Sequence, residues 1–527
     1  MSYGWLVLGF LFVTIALAVI ARRTGIAYPI VFVVAGAILG FVPNLPDVQL
    51  RPELIFLIVL PVLLTSDAWM TDFNEFKQNL RPIGLLAIGL VVFTTVMVAA
   101  IAHAVIPDIG WPAAFMLGAI IAPTDAIAAE SISQGVALPR RVMTIISGES
   151  LVNDASALII YRFAVAAAVT GTFAAGQVVP QFFIVSIGGI VVGIVLAWLL
   201  HFLMRWLHKH YPEDAVLPAL LSLTTPYAAY LGAEALSVSG VLSTVAAGMW
   251  LSRRSGQMFT PNSRLVVSNV WEMTTSVLNA FVFLLLGLQL HNIVSTLGRA
   301  EFQRLLGYGI AISVAVILLR FVWLFPATYI PRWVSKRLRE RDPAPPWQVP
   351  FVISWAGMRG IVSLAAALAV PLAIASRNEI IFVTFAVIFA TLVVMGLTLP
   401  LVINTLRVRD DGTMQHREIE IRIQALEAGM QRLRELEPTF DSELEWEVEG
   451  RIVDEYRHRI EHLGGHLDSV DGEAPTENAV DHRLQREALD AERRMIQVLR
   501  RNREIPDDIY REIEYDLDLA ELRLSQA

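Results

Sequence analysis

Long apolar blocks fill most of the chain, and polar residues are confined to the short stretches between them. From the first residue to about position 408 the blocks run to about 18–28 residues, with charged side chains at most junctions. A helix of about 20 apolar residues spans a bilayer, so the pattern predicts an all-α polytopic membrane protein. Thirteen spans are expected, at about 3–21, 28–42, 53–69, 83–106, 111–131, 140–169, 181–205, 214–233, 237–252, 265–290, 304–330, 349–371 and 379–405. After about position 409 the pattern changes. Stretches such as 417–427 and 491–500 are rich in charged helix formers, which predicts a helical, solvated tail. Gly, Asp, Pro and Asn in 464–480 mark a linker within it. The expected domains are thus a transmembrane part, 1–408, and a tail, 409–527, of dimerisation or regulatory type.

Basic residues in the loops orient the spans. The first apolar run has no positive segment before it, and Arg22 and Arg23 follow it, unlike a cleaved signal peptide. That polarity puts the N-terminus outside. Alternation then assigns about sixteen Lys and Arg residues to inside loops, from Arg22 to Arg341, and about four to outside loops, Arg51, Arg299, Arg304 and Arg377. The bias has the sign of the positive-inside rule and leaves the tail in the cytoplasm.

Composition changes this picture little. The 527 residues are 55% hydrophobic and 17% charged, against about 25% charged in soluble proteins. No cysteine is present, which excludes disulfides, iron–sulfur clusters and thiolate zinc sites. The net charge of −8 divides into roughly +6 on the membrane part and roughly −14 on the tail. An acidic tail of that strength suits neither nucleic acid nor anionic lipid. His103, His201 and the other histidines lack metal-ligand spacing, and Trp5 and Trp111 read as interface anchors. No phosphate-binding Gly-x-x-x-x-Gly-Lys loop occurs. The pattern therefore points away from an enzyme or ATP-driven pump, with no cofactor beyond transported ions.

Two spans are interrupted. The fifth contains Pro123-Thr124-Asp125, where Pro123 removes a backbone donor and clashes with the preceding turn. The twelfth contains Gly357-Met358-Arg359-Gly360, a charge bracketed by glycines at mid-span. Broken helices in corresponding halves are a sequence pointer to a transporter site. Their separation by seven spans fits an inverted repeat of spans 1–6 and 8–13.

The sixth span carries Gly148-Glu149-Ser150-Leu151-Val152-Asn153-Asp154. A charge at the centre of a membrane helix costs at least ~2.5–3.5 kcal/mol and needs a cavity, an ion or a partner. Ser150 and Asp154 lie four apart and share a face, with Asn153 adjoining it. Glu149 is turned ~140° from Asp154 and needs its own cation. Arg320 in the eleventh span is the proposed partner and Arg359 the competitor; spacing does not choose between them. Asp154 has no basic neighbour on its face, since Arg162 is two turns away. Burial disfavours its bare charge, so a proton and a cation compete for it. Asp67 and Thr124 are further candidate oxygen ligands for a hard cation. Arg359 reads as an electrostatic balance for the helix break.

Together, Gly148 to Asp154, Pro123-Thr124-Asp125, Gly357 to Gly360 and Leu60-Pro-Val-Leu-Leu-Thr-Ser-Asp67 resemble the sodium/proton exchangers, in particular bacterial members of the monovalent cation:proton antiporter-1 family. The resemblance covers about 5–405. It implies thirteen spans with two crossed, unwound helices, a homodimer, and elevator-like exchange of a monovalent cation for a proton in the inner cell membrane. It places the ion site, with Na+ as the expected cargo and K+ or Li+ as alternatives, at Asp154, Asn153, Ser150, Asp125, Thr124 and Asp67. It places the structural ion pair on Glu149 and Arg320. An Asn-Asp motif implies electroneutral exchange. Two departures from the pattern are Ala126 where a proline usually follows the Thr-Asp pair, and a long tail that the shortest bacterial members lack. Other classes considered are a channel or symporter on a related scaffold and a membrane sensor signalling through the tail.

Overall fold

The computed structural model describes residues 3–43, 51–133, 138–170, 175–211, 214–295, 297–408, 413–439, 441–468, 477–502 and 507–526. They are helical throughout apart from turns and short connections. Two compact units divide the chain, Met1–Asp410 and Asp411–Ala527.

The first unit runs in order through α1 (Tyr3–Thr24), α2 (Tyr28–Leu39), α3 (Pro52–Met70), α4 (Leu80–Val105), α5a (Trp111–Ile121), α5b (Ala126–Ser133), α6 (Arg140–Thr170) and α7 (Ala175–His210). It continues with α8 (Val216–Ala235), α9 (Gly240–Ser252), α10 (Pro261–Val294), α11 (Arg299–Val334), α12a (Gln348–Trp355), α12b (Ile361–Leu368) and α13 (Arg377–Leu406). Among the described residues nine helices are long and apolar enough to cross a membrane, α5a and α5b counting as one, while the apolar α2 and α9 are shorter. This is a multi-pass membrane protein.

Packing separates a scaffold from a core. One cluster joins α7, α8, α9 and the start of α10 around Ala197, Ala229, Ala247 and Trp271. Two others join α4, α5a, α6, α11, α12b and α13, and α2, α5b, α10 and α12a. α2 and α10 cross so closely that a side chain at Gly36 would meet the Gly287 Cα at 3.0 Å. Small residues permit such approaches where water supplies no hydrophobic drive between helices. The outer face of α7 leaves Ile184, Ile187, Val191, Trp198 and Phe202 exposed, as a lipid-facing surface would.

Three long helices contain a single π-helical turn, at Ile55–Val59, Leu85–Leu90 and Ala390–Met395. Such turns release backbone groups from the regular ladder, and groups from other helices bond to residues of each. The indole of Trp323 donates to Leu85 O at 3.1 Å and the hydroxyl of Tyr227 to Ile58 O at 3.4 Å. The Arg359 backbone N–H donates to Thr391 Oγ1 at 3.2 Å.

The second unit holds α14 (Thr413–Leu436), α15 (Glu443–Asp468), α16 (Glu477–Arg501) and α17 (Asp507–Gln526), packed as consecutive pairs. Ile496, Tyr510 and Leu517 form the small core of the last pair, and the Arg500 guanidinium stacks over the Tyr510 ring at 4.3 Å. Of the expected tail linker at 464–480, positions 469–476 lie outside the described residues, whereas 464–468 end α15 and 477–480 begin α16, so those ends are helical rather than linker.

Candidate ion-binding site

The two broken helices meet at their breaks. α5 is interrupted at 122–125 and α12 at 356–360, the stretches where proline and glycine disrupt the ladder. The Asp125 N–H donates to Met358 O at 2.8 Å, joining the two breaks directly. Gly360 lies against the Asp125 carboxylate, where any Cβ would collide with the carboxylate oxygens. Asp125 Oδ1 also accepts from Ile127 N at 2.9 Å, which caps α5b and sets a negative charge at the positive end of that half-helix.

Arg359 is fully buried and points at the opposite ends of the half-helices. Its Nε donates to Ile121 O, the last residue of α5a, at 3.1 Å, and its Nη1 to Gly357 O just beyond α12a. One guanidinium thus satisfies carbonyls left free at two helix C-termini and opposes their dipoles.

Glu149 is held by Arg320. The pair is bidentate, Nη1 to Oε1 at 2.5 Å and Nη2 to Oε2 at 2.7 Å, with both side chains nearly inaccessible. Arg320 Nε and Nη2 also donate to Ile353 O, at 3.3 and 3.2 Å. Thr124 Oγ1 donates to Glu149 Oε1 at 2.9 Å and accepts from Asn153 Nδ2 at 3.0 Å. Asn153 Nδ2 reaches Thr124 O as well, at 3.2 Å.

These bonds add to the helix-face reading. Asn153 stands four residues from Glu149, not from Asp154, and its buried amide joins the Glu149–Thr124 network. It does not line the cavity that Asp154 lines. The Thr124 hydroxyl is likewise committed to Glu149 and Asn153, although the residue borders that cavity.

Asp154, Asp125, Asp67, Ser150 and Thr124 share a cavity of about 40 Å³, closed by Gly360, Ile361 and Ser363 of α12. Among the described residues three carboxylates and no basic side chain line it. Ser150 Oγ accepts from Ala126 N at 3.2 Å, so the hydroxyl also fixes the start of α5b. Among the described residues no three carboxylate or imidazole groups converge closely enough to form a metal shell. The acids instead border a shared space.

A second cavity of about 430 Å³ adjoins the first and shares Leu63, Asp67 and Ile127 with it. Its wall carries Asp72, Glu75, Glu130 and Glu272, with Arg140 engaged by Glu75 at 2.8 Å and Asp72 at 3.4 Å. Glu130 accepts a short hydrogen bond from Ser147 of α6. Sequence reasoning passed over Glu130, Glu272 and Asn279. Glu130 lies five residues after Asp125, and its position just beyond a helix break is the signal that marks it.

A polytopic helical protein with acidic residues gathered between two broken helices belongs to the class of ion-coupled membrane carriers. Residues 9–405 match the family described as sodium/hydrogen exchanger, transmembrane, and the chain belongs to that family. It is 34% identical over 520 residues to the uncharacterized Na+/H+ exchanger YjcE of Escherichia coli (strain K12), covering 95% of this chain and 94% of the relative. The sodium, potassium, lithium and rubidium/H+ antiporter of Bacillus subtilis (strain 168) is 32% identical over 390 residues, 71% of this chain and 58% of the relative. In fold the chain resembles the sodium proton antiporter MjNhaP1 from Methanocaldococcus jannaschii, with a TM-score of 0.60 at 19% identity over 77% of this chain and 98% of that one.

Proposed function

We propose that the chain exchanges a monovalent cation for a proton at Asp154, one for one, driven by an ion gradient. The observation that carries this reading is the cavity around Asp154, whose described lining holds three carboxylates and no base, while neighbouring Glu149 is neutralised by Arg320. A carboxylate in such a space is stabilised by a proton or by a cation. Na+ is the first expected cargo. The range named for the Bacillus subtilis relative keeps K+ and Li+ in the set.

In this reading Asp154 is the exchanging group, with Asp125, Asp67 and Ser150 supplying further oxygens to a partly hydrated cation. Thr124 and Asn153 position the α5 break against α6. Glu149, Arg320 and Arg359 hold the core rigid and carry no ion. Asp67 links the small cavity to the wide acidic one, whose negative wall concentrates cations at the entrance. Thirteen crossings in two inverted repeats, a homodimer, and elevator-like movement of the core against the α7–α9 scaffold complete the proposal. The N-terminus is then outside the cell membrane and the tail in the cytoplasm, performing dimerisation or regulation.

Asp154→Asn tests it in everted vesicles. The variant is expected to insert and fold yet to lose cation-driven proton movement. Retained sodium- or potassium-driven flux overturns the assignment of Asp154.

A further inference from the structure

A third cavity, of about 170 Å³, lies away from the ion site between α4, α6, α11 and α12a. Its floor is apolar, formed by Leu86, Val142, Ile145, Leu324 and Ile353. Three arginines border it: Arg81 at the start of α4, Arg141 at the start of α6 and Arg332 near the end of α11. One carboxylate, Asp342, serves two of them, accepting from Arg141 at 2.8 Å and from Arg332 at 2.7 Å. Among the described residues Arg81 forms no ion pair, and its Nη2 is buried without an acceptor. A buried guanidinium donor lacking a partner is costly, and a fork of this kind fits phosphate oxygens.

The surroundings place this cavity at a membrane surface. Trp333 follows the lining residue Arg332, Trp347 lies between the lining residues Pro345 and Val349 in the chain, and the two are 82% and 52% exposed, as interface anchors are. The adjoining helix Lys336–Arg341 exposes Lys336, Arg337, Arg339 and Arg341. Basic groups beside an apolar recess suit anionic lipid. The recess exceeds the ~150 Å³ of an apolar cavity that takes up benzene, enough for part of an acyl chain.

We propose that this pocket binds a membrane lipid with an anionic phosphate headgroup, the phosphate on Arg81 and a segment of acyl chain on the apolar floor. Ile145 and Leu324 each stand one turn from a member of the Glu149–Arg320 pair, and the Ile353 carbonyl belongs to the same network. An occupant therefore braces α6, α11 and α12a together beneath the ion site.

The test is thermal unfolding of the purified full chain in detergent, titrated with phosphatidylglycerol, phosphatidylcholine or inorganic phosphate. Phosphatidylglycerol is expected to raise Tm saturably by roughly a few degrees, with little effect from the other two. Arg81→Gln, which breaks no ion pair, should lose most of that shift and Arg81→Lys should keep most of it. Ala327→Leu narrows the recess without altering charge and should also reduce the shift. Unfolding in phosphatidylcholine shows that each variant is folded. An equal phosphatidylglycerol shift in Arg81→Gln and the parent overturns the proposal, as does full reproduction of the shift by inorganic phosphate or phosphatidylcholine.

Discussion

Two acidic residues on one helix do opposite electrostatic jobs here. Glu149 and Asp154 are five apart on α6, yet one is pinned by a bidentate arginine and the other faces an acidic cavity. Glu149→Ala is expected to destabilise the protein by about 3–5 kcal/mol, because it strands the Arg320 charge in the core. The double change Glu149→Leu with Arg320→Met removes both charges and should recover much of that loss. Thermal unfolding of the purified variants checks the pair: a harmless single change would remove the structural role from Glu149. The ~140° separation of the two acids is a property of the helix and was legible in the sequence. The choice of Arg320 over Arg359 was not, since it depends on where Ile353 O and Ile121 O place the two guanidiniums. The bonds of Asn153 to Thr124 were not legible either, since its place beside the Asp154 face does not show that its amide reaches across to the α5 break.

At the scale of elements, the breaks in α5 and α12 were announced by Pro123 and by the paired glycines around Arg359. The direct bond from Asp125 N to Met358 O was not, because nothing local specifies which two breaks meet. The ends of the long helices are tied in a way that sequence conceals as well. Asp342, in the connection after α11, bridges Arg141 of α6 and Arg332 of α11. Partial burial pushes its carboxyl up, but the hydrogen bonds and charges of Arg141 and Arg332 outweigh this and hold it below the ordinary range. A carboxyl with a depressed folded value stabilises fully above its unfolded value, ~3.9, and loses that contribution as pH falls through the folded one. Asp342→Asn should thus lower Tm by a constant amount from about pH 8 to about pH 5, with the gap to the parent closing below about pH 4. The cost should stay under ~1 kcal/mol, the scale of a solvent-screened pair. A gap that persists unchanged at acid pH would assign the effect to packing instead of charge.

The molecule as a whole joins a carrier to an acidic helical unit, and the change from apolar blocks to charged helices marks the junction in the sequence. What the sequence conceals is the grouping of the apolar helices, because every lipid-compatible block looks alike until small residues such as Gly36 and Gly287 reveal who approaches whom. The described residues that line the two acidic cavities all belong to the first unit, the last of them Ser363, and the family match ends at 405. The chemistry of exchange should therefore survive removal of the second unit. Chains of 1–410 and full length, reconstituted separately in proteoliposomes, are expected to show the same order of cations and the same dependence on Asp154. A tail that regulates will shift the pH at which exchange is half-maximal between the two, whereas a tail that only associates will leave that pH unchanged and alter the oligomeric state of the purified chain. Loss of all exchange in a folded 1–410 chain would place the tail within the transport cycle itself.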